Sequence, residues 1–401
     1  MHDIFQKLFE MTAFGTITYK TVLMWAISFV LLYLGIKKKY EPLLLVPIGF
    51  GVLLANFPGA GMGIVPAEYI ELGNDRYKNL FEIAHEYGIL NFLYYSLIKT
   101  GFLPPIIFMG VGALTDFGPM LRNLRLAFFG AAAQIGIFSV LIVAVLLGFS
   151  LKEAASLGII GGADGPTAIY TTIKLAPHML GPIAIAAYSY MALVPVIIPF
   201  VANLLMTKKE FRINMKEMDK KYPAKYQIKN LKAVKIIFPI ALGTVVAIFV
   251  PSSVPLLGML LFGNLVKEIG TSTARLADAA TGPIMNSATI FLGISVGATM
   301  TADVFLKTET LGIVVGGFIA FAISIAGGIL AVKVYNMFAT KKINPLIGAT
   351  GLSAVPMASR VANEMALKHD PVNHILQYCM ASNISGVIGS AVAAGVLISL
   401  V

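Results

Sequence analysis

The chain has 401 residues, 57% of them hydrophobic and 12% charged, with a mean hydropathy of +0.83. Soluble proteins of this size carry about 25% charged residues, so the composition excludes a soluble globular enzyme and indicates a polytopic membrane protein. The formal charge of +10 is no nucleic-acid footprint, because ten of the 30 basic residues crowd into the loop 207–235 against Glu210, Glu217 and Asp219; basic loops mark the cytoplasmic side of a membrane. The single Cys379 excludes an internal disulfide and a cysteine-based zinc site.

Residues 1–19 show no signal-peptide pattern and read as an amphipathic interfacial segment. Apolar stretches that fit membrane-crossing helices follow near 20–36, 41–56, 101–119, 126–149 and 181–205. After the basic loop, 206–235, they resume near 236–250, 254–266, 283–302, 310–338 and 371–400. The insertion 57–97 reads as an external lid or a further short helix. None of the alternating ten-residue segments of a membrane β-barrel occurs. Lys37–Lys39, Arg122 with Arg125, the basic loop and Lys341 with Lys342 all fall on the cytoplasmic side only if 155–174 and 344–360 re-enter without crossing. The first then enters from outside and the second from the cytoplasm, with both termini outside.

The second half echoes the first. At an offset of 189, Gly162 falls on Gly351, Pro182 on Pro371, and Asp164 on Ser353. At 185, "VGA" 111–113 meets "VGA" 296–298; at 208, Pro47, Leu53 and Asn56 meet Pro255, Leu261 and Asn264. The expected fold is all-α, with an inverted repeat of about five crossings in 20–205 and 236–401, each holding one re-entrant broken segment. Transporters of this plan bind ions near the midplane, where the broken helices meet.

The first broken segment contains "GGADGPT", in which Gly161, Gly162, Gly165 and Pro166 oppose a regular helix around Asp164. Freed carbonyls and one carboxylate make a hard oxygen site, and an intramembrane acid marks an ion path or proton relay. The bland alternative is a solvated Asp-Gly turn at the surface. The second, "INPLIGATGLSAVPMASRVAN", offers Asn344, Gly348, Gly351 and Ser353 as neutral counterparts. Arg360 beyond it pairs with a carboxylate, grips an anionic substrate through its planar fork, or serves only as a positive-inside anchor. The following helices carry Tyr188, Ser189 and Tyr190 in one half and Ser382, Asn383 and Ser385 in the other. The tyrosines are either interfacial anchors or inward hydroxyl donors; Asn383 needs an ion or a neighbouring helix as partner. One carboxylate among neutral oxygens suits a monovalent cation.

"GGADGPTAIY", "AYSYMALVP" and "INPLIGATGLSAVPMASRVAN" resemble the β subunit of sodium-translocating, biotin-dependent decarboxylases, a family spanning oxaloacetate, methylmalonyl-CoA, glutaconyl-CoA and malonate enzymes. The resemblance runs from about Lys20 to the end. It implies a membrane subunit that decarboxylates carboxybiotin, exports sodium and consumes a proton, with biotin covalently carried on a partner. It further implies an elevator-like architecture, a homotrimeric core, an α carboxyltransferase/biotin subunit, a small γ or δ membrane subunit, and a place in the bacterial or archaeal cytoplasmic membrane. Residue by residue, it makes Asp164 the sodium- and proton-linked acid, and Asn344 and Asn383 sodium ligands. Gly348 and Ser353 match other functional positions at the sodium site, Ser353 also facing carboxybiotin. Tyr188 and Tyr190 form a tyrosine pair linked to proton delivery, and Arg360 holds carboxybiotin at the cytoplasmic mouth. The residues alone leave open a secondary sodium-coupled carboxylate or sodium/proton transporter without decarboxylation, and, less readily, a non-catalytic membrane scaffold.

Overall fold

Backbone surrounded by lipid must satisfy its own hydrogen bonds, which leaves helices as the natural spanning element for so apolar a chain. The computed structural model describes residues 12–39, 41–66, 69–73, 76–223, 228–354 and 356–401. Most of the interfacial segment (1–11) and part of the basic loop (224–227) lie outside the described residues.

In chain order the main helices are α1 (Tyr19–Ile36), α2 (Pro42–Ala55), α3 (Leu80–Ile98), α4 (Leu103–Leu114), α5 (Leu124–Leu146), α6 (Leu151–Gly158) and α7 (Gly165–Leu175). There follow α8 (Leu180–Leu205), α9 (Leu231–Phe249), α10 (Val254–Ile269), α11 (Thr271–Ala298), α12 (Thr308–Phe338), α13 (Met357–His369) and α14 (Leu376–Leu400). Among the described residues seven helices are long and apolar enough to cross a membrane, or nine if the bent pairs α3 with α4 and the two parts of α8 each count as one span. The chain is therefore a multi-pass membrane protein. The insertion 57–97 holds helix α3, started by Asn79, whose side chain accepts from the N–H groups of Phe81 and Glu82 while Glu82 reaches back to Asn79. The other regular element here is a short antiparallel pair, β1 (Glu71–Gly73) with β2 (Arg76–Tyr77).

The helices form two compact units, to both of which α11 and α12 contribute. In the unit of residues 1–103 and 286–312, α1 and α2 pack as a hairpin in which Ser28 donates to the Gly49 carbonyl at 2.8 Å. In the unit of residues 104–285 and 313–401, a continuous apolar core joins α5, α8, α10, α12, α13 and α14.

One packing joint is built once in each unit. In the first, α2 crosses α11 so closely that a Cβ on Gly51 would lie 2.3 Å from the Ile294 carbonyl oxygen, and one on Gly297 2.2 Å from that of Ile48. In the second, α4 crosses α10 with a Cβ on Gly112 or Gly263 falling 1.9 Å from the carbonyls of Leu260 and Met109 respectively. A buried asparagine closes each joint: Asn56 donates to Met300 O at 2.7 Å, and Asn264 to Thr115 O at 2.8 Å. Asn56 and Asn264 are the pair offset by 208, while Gly112 with Gly297 and Thr115 with Met300 are both offset by 185.

The basic loop is largely structured. Its short helices Lys208–Phe211 and Met215–Lys221 dock through Lys333 on Glu210 (3.3 Å) and Lys341 on Asp219 (2.7 Å), and Phe211 stacks on His369 at 4.3 Å.

Candidate functional site

The first broken segment is a helix, a sharp turn and a helix, all in the larger unit. Ser150 and Glu153 cap the start of α6, and a 3-10 turn, Ile159–Gly162, ends it. Ala163 then takes a left-handed conformation, φ 54° and ψ 43°, at a cost of about 1–2 kcal/mol for a residue with a Cβ. That turn sets Asp164 as the N-cap of α7, its Oδ1 accepting from the Thr167 N–H at 3.2 Å. The carboxylate thus faces the positive end of the α7 dipole. Asp164 is 5% exposed, and every residue from Ala154 to Thr172 is buried. The surface-turn alternative for Asp164 does not fit this placement.

The second broken segment follows α12. Asn336 brackets Ile343 by donating to its carbonyl (2.7 Å) and accepting its N–H (2.8 Å), and a one-turn helix, Leu346–Ala349, precedes the break. The two segments meet at their breaks: the Ser353 N–H donates to Gly162 O at 3.2 Å. A hydroxyl chain joins them as well. Ser353 Oγ donates to Ser390 Oγ at 2.7 Å, and Ser390 Oγ to Asp164 Oδ2 at 2.8 Å. Asp164 and Ser353, the pair offset by 189, are therefore linked through one α14 serine.

The other candidates divide. Tyr188 is 1% exposed, and its ring packs so tightly on Gly165 that a Cβ there would lie 2.6 Å away. Its hydroxyl has no hydrogen-bond partner among the described residues. Tyr190 is 3% exposed and packs on Gly317 of α12. Asn383 supports the second break, with Nδ2 donating to the Leu352 carbonyl and Oδ1 accepting from Ser359. Gly348 permits a helix crossing, since a Cβ on it would fall 2.0 Å from Gly328 O. Asn344 is not brought to Asp164: it donates to Phe211 O and Ile213 O, both at 3.1 Å, and accepts from Leu346 N. Arg360 is exposed on α13, whose Ala358, Val361, Ala362, Met365 and Ala366 form the buried face; it makes no ion pair among the described residues.

Ser390 and Gln134 were not signalled by the motifs. Ser390 lies seven residues beyond Asn383, two turns along one face of α14, which is the signal that finds it. Gln134 interrupts α5 and donates to carbonyls of both the second break and α14. Among the described residues no three His, Cys, Asp or Glu side chains gather. The cluster therefore offers a single negative charge among neutral oxygens, a donor set poor for divalent ions, which recruit several carboxylates.

Comparison with known proteins shows the family. Residues 20–401 match the family described as the Na+-transporting oxaloacetate decarboxylase beta subunit. The methylmalonyl-CoA decarboxylase subunit beta of Propionigenium modestum is 47% identical over 396 residues, covering 98% of each chain. The oxaloacetate decarboxylase beta chain 2 of Salmonella typhi is 45% identical over 420 residues, and the beta chain of Klebsiella pneumoniae 44%, each covering 94% of both chains. Relatives named for two different acids match about equally, so likeness does not select the acid. The chain belongs to the beta-subunit family of the sodium-transporting decarboxylases.

Proposed function

We propose that the chain is the membrane subunit of a sodium pump that decarboxylates carboxybiotin presented by a partner and couples this to sodium export, consuming a proton. The observation that carries this reading is the meeting of two broken segments at Asp164, Ser390 and Ser353. Unwound backbone and one carboxylate are what a desolvated sodium ion requires. A cation and a proton exclude each other at a single carboxylate, so loading Asp164 with sodium releases a proton and unloading takes one up. The buried Tyr188, whose ring packs on Gly165 next to Asp164, supports a role in passing that proton.

Carboxybiotin, when bound, supplies an N-carboxyl group that leaves as carbon dioxide while the ring nitrogen takes up one proton. The residues present fit such a group. Arg360, exposed and without an ion pair among the described residues, presents a planar fork that matches a carboxylate, and its helix, Met357–His369, begins four residues after Ser353 in numbering. Asn344 serves the site by anchoring the second break to the basic loop rather than by ligating from its observed position. The twice-built glycine joint and the 164–353 link support an inverted repeat and an elevator-like movement of the site. The partners are an α carboxyltransferase/biotin subunit and a γ or δ membrane subunit, around a homotrimeric core in the cytoplasmic membrane.

The test is purification of the native complex on avidin resin, followed by reconstitution in liposomes. Retention of this chain, with carbon dioxide release and sodium uptake rising together when the acid is added, is expected. Sodium movement by a chain that avidin does not retain, with no carbon dioxide released, contradicts the proposal and favours a secondary transporter.

A further inference from the structure

One unsatisfied oxygen beside Gly162 points beyond the residues so far assigned. Gln134 sits where α5 is interrupted, its N–H bonded to Ala131 O at 3.1 Å in a 3-10 turn; such mid-helix turns often mark functional positions. The side chain is 6% exposed. Its Nε2 faces three carbonyl oxygens, Gly351 at 3.1 Å and Gly130 and Gly386 at 3.3 Å. The reverse orientation would set Oε1 against those three acceptors, so the amide is held one way round.

Oε1 is then buried with no hydrogen-bond partner among the described residues. Buried polar atoms are satisfied almost without exception, by protein, water or an ion. This oxygen lies 3.4 Å from the point where a Gly162 side chain would begin, and the Ser390 Cβ lies 3.2 Å from the same point. Gly162 accepts from Ser353, and Ser390 donates to Asp164. The orphan oxygen thus borders the cluster built around Asp164. Two acceptor groups with no cation between them oppose each other; one cation satisfies both.

We propose that the Gln134 side-chain oxygen is a ligand of the transported sodium ion, completing from α5 the site made by Asp164, Ser390 and Ser353. The inference rests on the reading of that cluster as the sodium site. It also explains the three-carbonyl grip on Nε2, which fixes the amide so that its oxygen alone faces Gly162.

The experiment uses the intact complex in detergent and reads its thermal-unfolding midpoint against sodium chloride, with choline chloride holding ionic strength constant. Gln134→Met removes the oxygen at similar length and is expected to raise the half-stabilising sodium concentration by about tenfold, the scale of one lost polar contact to a charge. Gln134→Glu keeps an oxygen but loses the donors to the three carbonyls, and is expected to retain sodium stabilisation better than Met. Gly162→Ala sets a methyl against Oε1 without touching the Nε2 bonds, and is expected to weaken sodium stabilisation should the Met variant fail to fold. A half-stabilising concentration that stays at the wild-type value in Gln134→Met and Gly162→Ala overturns the proposal and leaves Gln134 a structural clip beside a water. Asp164→Asn separates the two readings. If it weakens sodium stabilisation and the Gln134 variants do not, the ligand assignment alone falls. If it too has no effect, the cluster is not the sodium site.

Discussion

The two broken segments occupy matching places in the sequence but differ in character. The first is sealed: nineteen consecutive residues are buried, 154–172, and it carries the carboxylate, held by the Thr167 N–H and the Ser390 hydroxyl. The second carries only neutral oxygens and becomes less buried at Ser353, before α13 turns Arg360, Glu364 and Lys368 outward. The charge is thus placed where the protein excludes water, and the more accessible side carries neutral oxygens. In the proposed sodium pump that division would serve release of the ion, because two charged halves would hold a monovalent cation too firmly.

The largest effect is expected from removing the charged half. Asp164→Asn keeps the shape and the N-cap of α7 but loses the charge, so sodium stimulation of carbon dioxide release should vanish while the complex still assembles. Near-normal stimulation would remove Asp164 from the ion site. Next comes the exposed end of the other segment. Arg360→Lys keeps the charge and loses the fork, so apparent affinity for the biotin-bearing partner should fall about tenfold, equivalent to one charge-assisted hydrogen bond of about 1.5 kcal/mol. Sodium affinity should change little; an equal loss of both would assign Arg360 a structural pairing.

A smaller effect tests the packing of the second segment alone. Gly348→Ala drives a methyl into Gly328 O and should destabilise by about 1–3 kcal/mol, read as a lower midpoint of thermal inactivation. Gly316→Ala on α12, the helix that carries Gly328, meets nothing within 4 Å and should be neutral or stabilising by about 0.5–1 kcal/mol. The smallest effect concerns the entrance to the first segment. Ser150→Ala removes the α6 cap and should cost about 1 kcal/mol. Glu153 is held below its ordinary value of 4.5 by the Ser150 hydroxyl and then by His178. Its contribution is therefore present above pH 4.5 and lost as the pH falls below it, so the advantage of the wild type over Ser150→Ala should shrink in acid without vanishing, because the Ser150 hydroxyl still accepts from the Glu153 N–H.

Much of this was legible in the chain because glycine, proline and lone polar residues stand out against an apolar background. "GGADGPT" announces its own break, and the offset of 189 anticipates the 164–353 link. The structured basic loop was not legible, since its order comes from long-range bonds of Asn344 and Asn373 to the Phe211 and Ile213 carbonyls. Nor were the bonds of Asn344 to the basic loop: an asparagine in a Gly/Pro-rich break reads alike whether it ligates an ion or pins a backbone. Ser390 and Gln134 were hidden for the opposite reason. Each lies in a long helix outside the broken motifs, and although the spacing from Asn383 points to Ser390, the packing of α5 and α14 against the breaks is what shows what the two residues face.

The most direct test asks whether the two segments that meet at Asp164 arrive from opposite sides of the membrane. Cys379 is buried and is first replaced by Ala, leaving no native thiol. Lys152→Cys, exposed at the start of the first segment, and Lys342→Cys, exposed before the second, are then treated with an impermeant thiol reagent in intact cells. Lys152→Cys is expected to label from outside at once, and Lys342→Cys only after the membrane is opened. Labelling of both from the same side would contradict the inverted arrangement, and with it a sodium site reached alternately from the two faces.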